Sequence, residues 1–247
     1  MKTRSLILCA LACAATLATA GCKNPPGKSG TQQETPRPEQ VVDFPTLYAE
    51  NCASCHGVNG QNGAAISLAN PVYIAAAGVS NIQHITAVGV PHTAMPAFAK
   101  SSGGMLTDQQ IAIIAQGIAA TWGKPAALAG ATLPSYVSTT TGEPTRGKQA
   151  FTNLCARCHG ADATGGKAEN GAITGSLIDP AYLALISDQG LRSIVISGQP
   201  EQGMPDWRHH LTGSAARPMT EQEIADVVSW LTSHRIATPG QPYQQHQ

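Results

Sequence analysis

The spacing of apolar residues changes abruptly along this chain, and each change marks a boundary. Behind Lys2 and Arg4 runs an apolar stretch from Leu6 to Ala20 that ends in small residues. A basic start, a short apolar core and a small-residue end predict a secretory signal over 1–21, too short for a spanning helix. Next comes KNPPGKSGTQQETPRPEQ, residues 23–40, which holds almost no apolar side chain and predicts a flexible tether with nothing to bury. From Val41 the pattern becomes helical. Ile111, Ile114, Ala115 and Ile118 fall on one helix face, as do Ile224, Val227, Val228 and Leu231. Thr107 and Thr220 stand just ahead of these stretches, where an N-cap belongs. Asn70-Pro71 and Asp179-Pro180 each join an N-cap residue to Pro at the first helical position, so each opens a further helix. Residues 122–144, rich in Ala, Gly, Pro and Thr, predict an extended linker, and 237–247 a disordered tail. The expected fold class is all-α.

The helical stretches recur in the same order, which makes the chain a tandem repeat. Tyr48 and Cys52–Gly57 match Phe151 and Cys155–Gly160, and Asn70–Ala75 matches Asp179–Ala184. Ile85, Gly89, Pro91 and Met95-Pro96 then match Ile194, Gly198, Pro200 and Met204-Pro205, and Leu106–Gln109 matches Met219–Gln222. Two modules are expected, 41–121 and 145–236. The second has the longer loop after its cysteines, around Thr164 to Asn170.

The chemistry sits in the repeated pentapeptides Cys52-Ala53-Ser54-Cys55-His56 and Cys155-Ala156-Arg157-Cys158-His159. C-x-x-C-H reads as a c-type haem attachment site, in which two thiols form thioethers and the adjacent His binds iron. A redox C-x-x-C or half of a zinc site needs no adjacent His and explains no second copy. What binds the other side of the iron decides function, because a closed low-spin iron carries electrons whereas an open one can bind and activate a substrate. Candidates in the first module are His84, His92, Met95 and Met105; in the second, Met204, His209, His210 and Met219. Only Met95 and Met204 are in register, and each precedes a Pro that holds its loop extended. Met105 and Met219, at the entry to the last helix, are expected to fill the core.

Composition adds a compartment. Lys and Arg together number 15 and so do Asp and Glu, so no bulk field points to nucleic acid. Four of the seven cysteines belong to the pentapeptides, and Cys9, Cys13 and Cys22 lie in the first two dozen residues. Thr19-Ala20-Gly21-Cys22 resembles a bacterial lipobox, although Thr19 stands where Leu is usual, so ordinary cleavage with soluble release stays open. Lipidation of Cys22 would make 22–40 an anchor and spacer.

Taken together, each module resembles a class I cytochrome c, and the stretch from Val41 to Arg235 resembles a tandem dihaem cytochrome of the c4-like type. That resemblance implies two haem c groups, held by Cys52, Cys55, His56 and Met95 and by Cys155, Cys158, His159 and Met204. It implies an extracytoplasmic, periplasmic electron carrier with protein redox partners, anchored to a membrane through Cys22, with no small-molecule substrate and no catalytic residue. Two alternatives stay open. One is a dihaem peroxidase-like enzyme, for which Asp206 is the acid beside a Met-Pro; the other is an electron-transfer subunit of a larger dehydrogenase or oxidase. In the family a Gly and an aromatic on the first helix cross the last helix, which brings its own aromatic. Gly147, Phe151 and Trp230 keep that arrangement. The first module departs from it, with Phe44 aligned to Gly147 and Gly117 aligned to Trp230, so large and small are expected to have exchanged sides.

Overall fold

The structure is a computed structural model and describes residues 36–167, 171, 173–209 and 217–236. The predicted signal, Cys22, most of the tether, His210 and the tail 237–247 lie outside the described residues.

Local signals start and stop the helices. In the first module α1 (Phe44–Asn51) is capped by Asp43, whose carboxylate accepts from Thr46 N at 3.0 Å. The one-turn α2 (Ala53–His56) ends on Gly57 at φ 83°. Asn70 caps α3 (Pro71–Val88), and Thr107 with Gln110 forms a reciprocal capping box on α4 (Asp108–Trp122). The second module repeats the set: α5 (Pro144–Leu154) behind Glu143, the one-turn α6 (Ala156–His159), and α9 (Glu221–Thr232) behind a Thr220/Glu223 capping box. Its counterpart of α3 is two helices, α7 (Pro180–Leu185) capped by Asp179 and α8 (Asp188–Ser197) capped by Ser187. The break falls where α3 is itself interrupted, since Gly78, the match of Ser187, has φ 70° and ψ 159°. The one sheet among the described residues is a short antiparallel ribbon, β1 (Gly166–Lys167) with β2 (Ile173–Thr174), in the longer loop of the second module. The fold is all-α apart from that ribbon.

Each module has its own apolar core, and the predicted helix faces supply it: Ile111, Ile114, Ala115 and Ile118 in one, Ile224, Val227, Val228 and Leu231 in the other. In both, the first helix crosses the last at a glycine. A Cβ on Gly147 would stand 2.0 Å from Asp226 O and 2.6 Å from Trp230 Cβ, so only Gly lets α5 approach α9 this closely. Asp226, almost fully buried, accepts from Glu143 N at 2.7 Å and from Arg146 Nε and Nη2 at 2.9 Å, fastening the start of α5 to α9.

Four sequence expectations need correction. Trp122 belongs to α4 rather than to the linker, and its ring lies 5.0 Å from that of Tyr48 and 5.8 Å from that of Phe44. The first module thus keeps an aromatic on its last helix, more than a turn beyond the expected position. The linker is packed: Pro125–Leu128 forms a 3-10 turn, Leu128 and Leu133 lie against the second core and Tyr136 against the first, and Pro144 already belongs to α5. The tether ends before 40, because Gln110 Nε2 donates to Pro38 O at 2.8 Å and Val41 O at 3.0 Å. Finally, Met105 is 82% exposed, while Met219 is buried. The repeat explains the last point, since Met219 matches Leu106, also buried, and Met105 has no counterpart in the core.

Candidate functional site

Each pentapeptide lies on a single helical turn that the first helix delivers and a glycine ends. Gly57 N donates to Ala53 O and Gly160 N to Ala156 O, both at 2.9 Å and both with positive φ. A Cβ on Gly57 would fall 1.9 Å from Gln61 O, so the chain must turn there through a residue without one. In the first module the Tyr48 hydroxyl also donates to Gly57 O at 2.8 Å, a tie that Phe151 cannot make.

The methionines reach the same places by a second pair of glycines. Gly89 and Gly198 end α3 and α8 with φ 72° and 65°, and Cβ atoms there would meet Ala97 N at 2.6 Å and Pro205 O at 2.5 Å. The Met-Pro segment can therefore lie directly against the helix end. Backbone bonds hold it there: Val90 N donates to Met95 O at 3.1 Å and Phe98 N to Thr86 O at 3.1 Å. In the second module Gln199 N donates to Met204 O at 3.0 Å at the matching positions, and Trp207 N to Ile196 O at 3.1 Å, one residue further along the helix than the match of Thr86.

Two cavities result. One is bordered by Cys52, Cys55, His56 and Met95, the other by Cys155, Cys158, His159 and Met204. The eight predicted site residues are thus brought together in two groups of four. The remaining candidates are not: His84 and His92 are exposed, Met105 points to solvent, Met219 is core, and His209 is 69% exposed beside Asp206. His210 lies outside the described residues.

The donor set in each cavity fits a haem c. His56 Nδ1 lies 2.8 Å from Ile66 O; a carbonyl only accepts, so Nδ1 carries the proton and Nε2 keeps the lone pair that binds metal. Burial holds the His56 imidazole below its ordinary pKa, against the opposing pull of that hydrogen bond, and burial likewise lowers His159. Both imidazoles are therefore neutral near pH 7, the ligating form. Burial, then the neighbouring cysteine, pushes the Cys52 thiol up to about 11 and the Cys155 thiol to about 12, so both are protonated thiols in the chain without haem. Among the described residues no three His, Cys, Asp or Glu side chains converge as a metal site, so the zinc reading finds no further ligands. One difference separates the modules. His159 Nδ1 is buried with no hydrogen-bond partner among the described residues, because Gly175 matches Ile66 and its carbonyl does not take the bond. Sequence reasoning had no signal for a partner supplied by backbone.

Asp206 does not border the cavity that holds Met204. It faces Arg208, whose Nη2 lies 2.6 Å from Asp206 Oδ2 and whose Nη1 donates to Leu128 O. The Arg208 guanidinium overcomes the upward push of burial and holds the Asp206 carboxyl below its usual range.

Residues 144–235 match the family model described as cytochrome c, and residues 40–116 match that described as cytochrome c oxidase, cbb3-type, subunit III. No curated protein matches the chain. Among solved structures, a chain of the reducing HAO-like protein complex of Kuenenia stuttgartiensis aligns at 16% identity and a TM-score of 0.45, covering 82% of this chain and 100% of that one.

Proposed function

Two class I cytochrome c domains stand in tandem in this chain, and from that premise we propose that it is an exported electron carrier holding two haem c groups, one per module. Cytochrome c domains bind haem covalently and transfer electrons, so the proposal concerns the count, the ligands and the setting. The observation that carries it is the repeated cavity lined by two thiols, an imidazole and a methionine. Bound there, haem c supplies reversible one-electron exchange at its iron. The chain's own residues do the rest. Cys52 and Cys55, and Cys155 and Cys158, anchor the group; His56 and His159 supply nitrogen; Met95 and Met204 supply sulfur. His56 with Met95, and His159 with Met204, would hold the iron and leave no position for a substrate, and a Met ligand would raise its potential.

The peroxidase alternative requires an acid free to assist at the iron. Asp206 is committed to Arg208 and lies outside the cavity, which favours the carrier. The match of the first module to an oxidase-subunit family keeps a second reading alive, in which the chain is the electron-transfer subunit of a larger oxidase. Among the described residues no helix is long and apolar enough to cross a membrane. We place the chain in the periplasm, held to a membrane by lipidated Cys22, with protein donors and acceptors.

Visible redox titration of the exported protein, with its intact mass, tests the proposal. Two haem additions, two one-electron steps and a methionine-to-iron charge-transfer band at both irons are expected. A single haem mass, or an iron that binds carbon monoxide in the reduced unmodified protein, would overturn it. Purification in mild detergent separates the two readings, since a subunit stays with its complex and a carrier elutes alone.

A further inference from the structure

The cavity of the first module is not closed by the first module alone. Beside Cys52, His56 and Met95 its lining includes Ile186, Ser187, Gly190 and Ile194 of the second module. Ile186, Gly190 and Ile194 recur every fourth position from the α7–α8 corner along one face of α8, and Ser187 caps that helix beside them. Among the described residues the cavity of the second module is lined by its own residues, and Ile194 is not one of them. Ile85 and Ile194 are matching positions of the repeat, yet both border the first cavity. The two cavities measure about 200 and 540 Å³, the smaller being the one with the borrowed wall.

The wall is held in place from three sides. Asn70 Nδ2 donates across the modules to Ser197 O at 3.0 Å and Gly198 O at 3.2 Å, while its Oδ1 caps α3. Val72 of the first module is buried in the core of the second. On the other side of α8, Arg192 is 3% exposed and donates to Ser135 O, Tyr136 O and Glu221. The asymmetry has a chemical cause in the sequence. Asp179 stands where the repeat puts Asn70, and a carboxylate, which only accepts, can cap its helix but cannot donate to carbonyls across the interface.

We propose that the haem site of the first module is a composite one, whose outer wall is the α7–α8 corner of the second module, with Ser187 and Ile194 acting as positioning residues for the other module's haem. The inference rests on the two-haem reading. A mostly apolar wall excludes water and disfavours the more highly charged ferric state, so it raises the potential of the first haem. The second haem, whose cavity is not bordered by Ser187 or Ile194, is insensitive to these positions.

The test compares Ser187→Asp with Ser187→Asn in the full-length, haem-loaded protein. Both side chains can cap α8 as Ser187 does, accepting from Gly190 N, so the helix start is kept and the pair differs by one charge. In a Met204→Ala background the charge-transfer band reports the first haem alone. Relative to Asn, Asp should lower the midpoint of that band and leave the other haem's midpoint unmoved. Ile194→Glu against Ile194→Gln repeats the comparison at a second position should the cap variants fold poorly. Two haems by mass with the first midpoint unmoved at both positions, or with the second midpoint moved instead, overturns the composite site and leaves the two-haem reading standing. A chain with no haem on Cys52 and Cys55 overturns both.

Discussion

Phe44 lies over Gly117: a Cβ on that glycine would stand 2.1 Å from Phe44 Cδ2 and 2.3 Å from Cγ. The crossing of α1 with α4 therefore has room for one large side chain, and it comes from α1. Ala in place of a mid-helix Gly ordinarily stabilises by about 1 kcal/mol. Here overpacking reverses the sign, and Gly117→Ala should destabilise by about 1–3 kcal/mol in denaturant unfolding of the haem-loaded protein. Phe44→Ala added to it should give a double mutant more stable than the two single losses sum to. Additive losses would mean that the two residues do not share the crossing.

Met95→Ala and Met204→Ala should each open one iron without detaching its haem, because the thioethers are untouched. Each variant should lose half of the ferric charge-transfer band, lower one potential and bind carbon monoxide when reduced. An unchanged spectrum in Met204→Ala would move the ligand to His209 or His210.

Gly89 and Gly198 make a prediction of their own. Both combine positive φ with a ψ near 180°, a region that other residues enter at a cost of about 1–3 kcal/mol. Gly89→Ala and Gly198→Ala should weaken the charge-transfer band of their own module while the haem mass stays whole. Loss of haem instead would mean that the turn serves assembly rather than ligation.

Glu223 gives a pH dependence. The hydrogen bond from Arg217, outweighing burial, pulls its carboxyl down from 4.5 to about 2. A folded pKa below the unfolded one means stability that is present above 4.5 and lost as pH falls toward 2. Denaturant unfolding of the second module across that window should be steeper in pH for the unmodified protein than for Arg217→Ala. The effect should be small, because the pair is partly exposed and screened.

Cys22→Ser should release the protein into the soluble extracytoplasmic fraction with its haems intact, as fractionation and absorbance would show. Continued membrane association would replace the lipid with a protein partner as the anchor.

What the sequence determined by itself is local or repeated. Helix starts at Asn70, Thr107, Asp179 and Thr220 follow from side chains that bond backbone two or three residues away, so a few letters suffice. The register of Met95 with Met204 is visible because a duplicated module keeps its spacing, and the core faces show because helical period and burial coincide. Tertiary structure decided what depends on distant neighbours. Trp122 reads as the start of a linker until its ring is seen packed against Tyr48 and Phe44, and Met105 reads as core until Leu106 proves to hold that place. The partner of His56 Nδ1 is a backbone carbonyl, which every residue owns and no sequence pattern marks. The wall that Ile194 lends to the other module was hidden for the same reason: the repeat predicts like places for like residues, and it is the docking of α8 against α3, to which Asn70 contributes bonds that its match Asp179 cannot make, that breaks the equivalence.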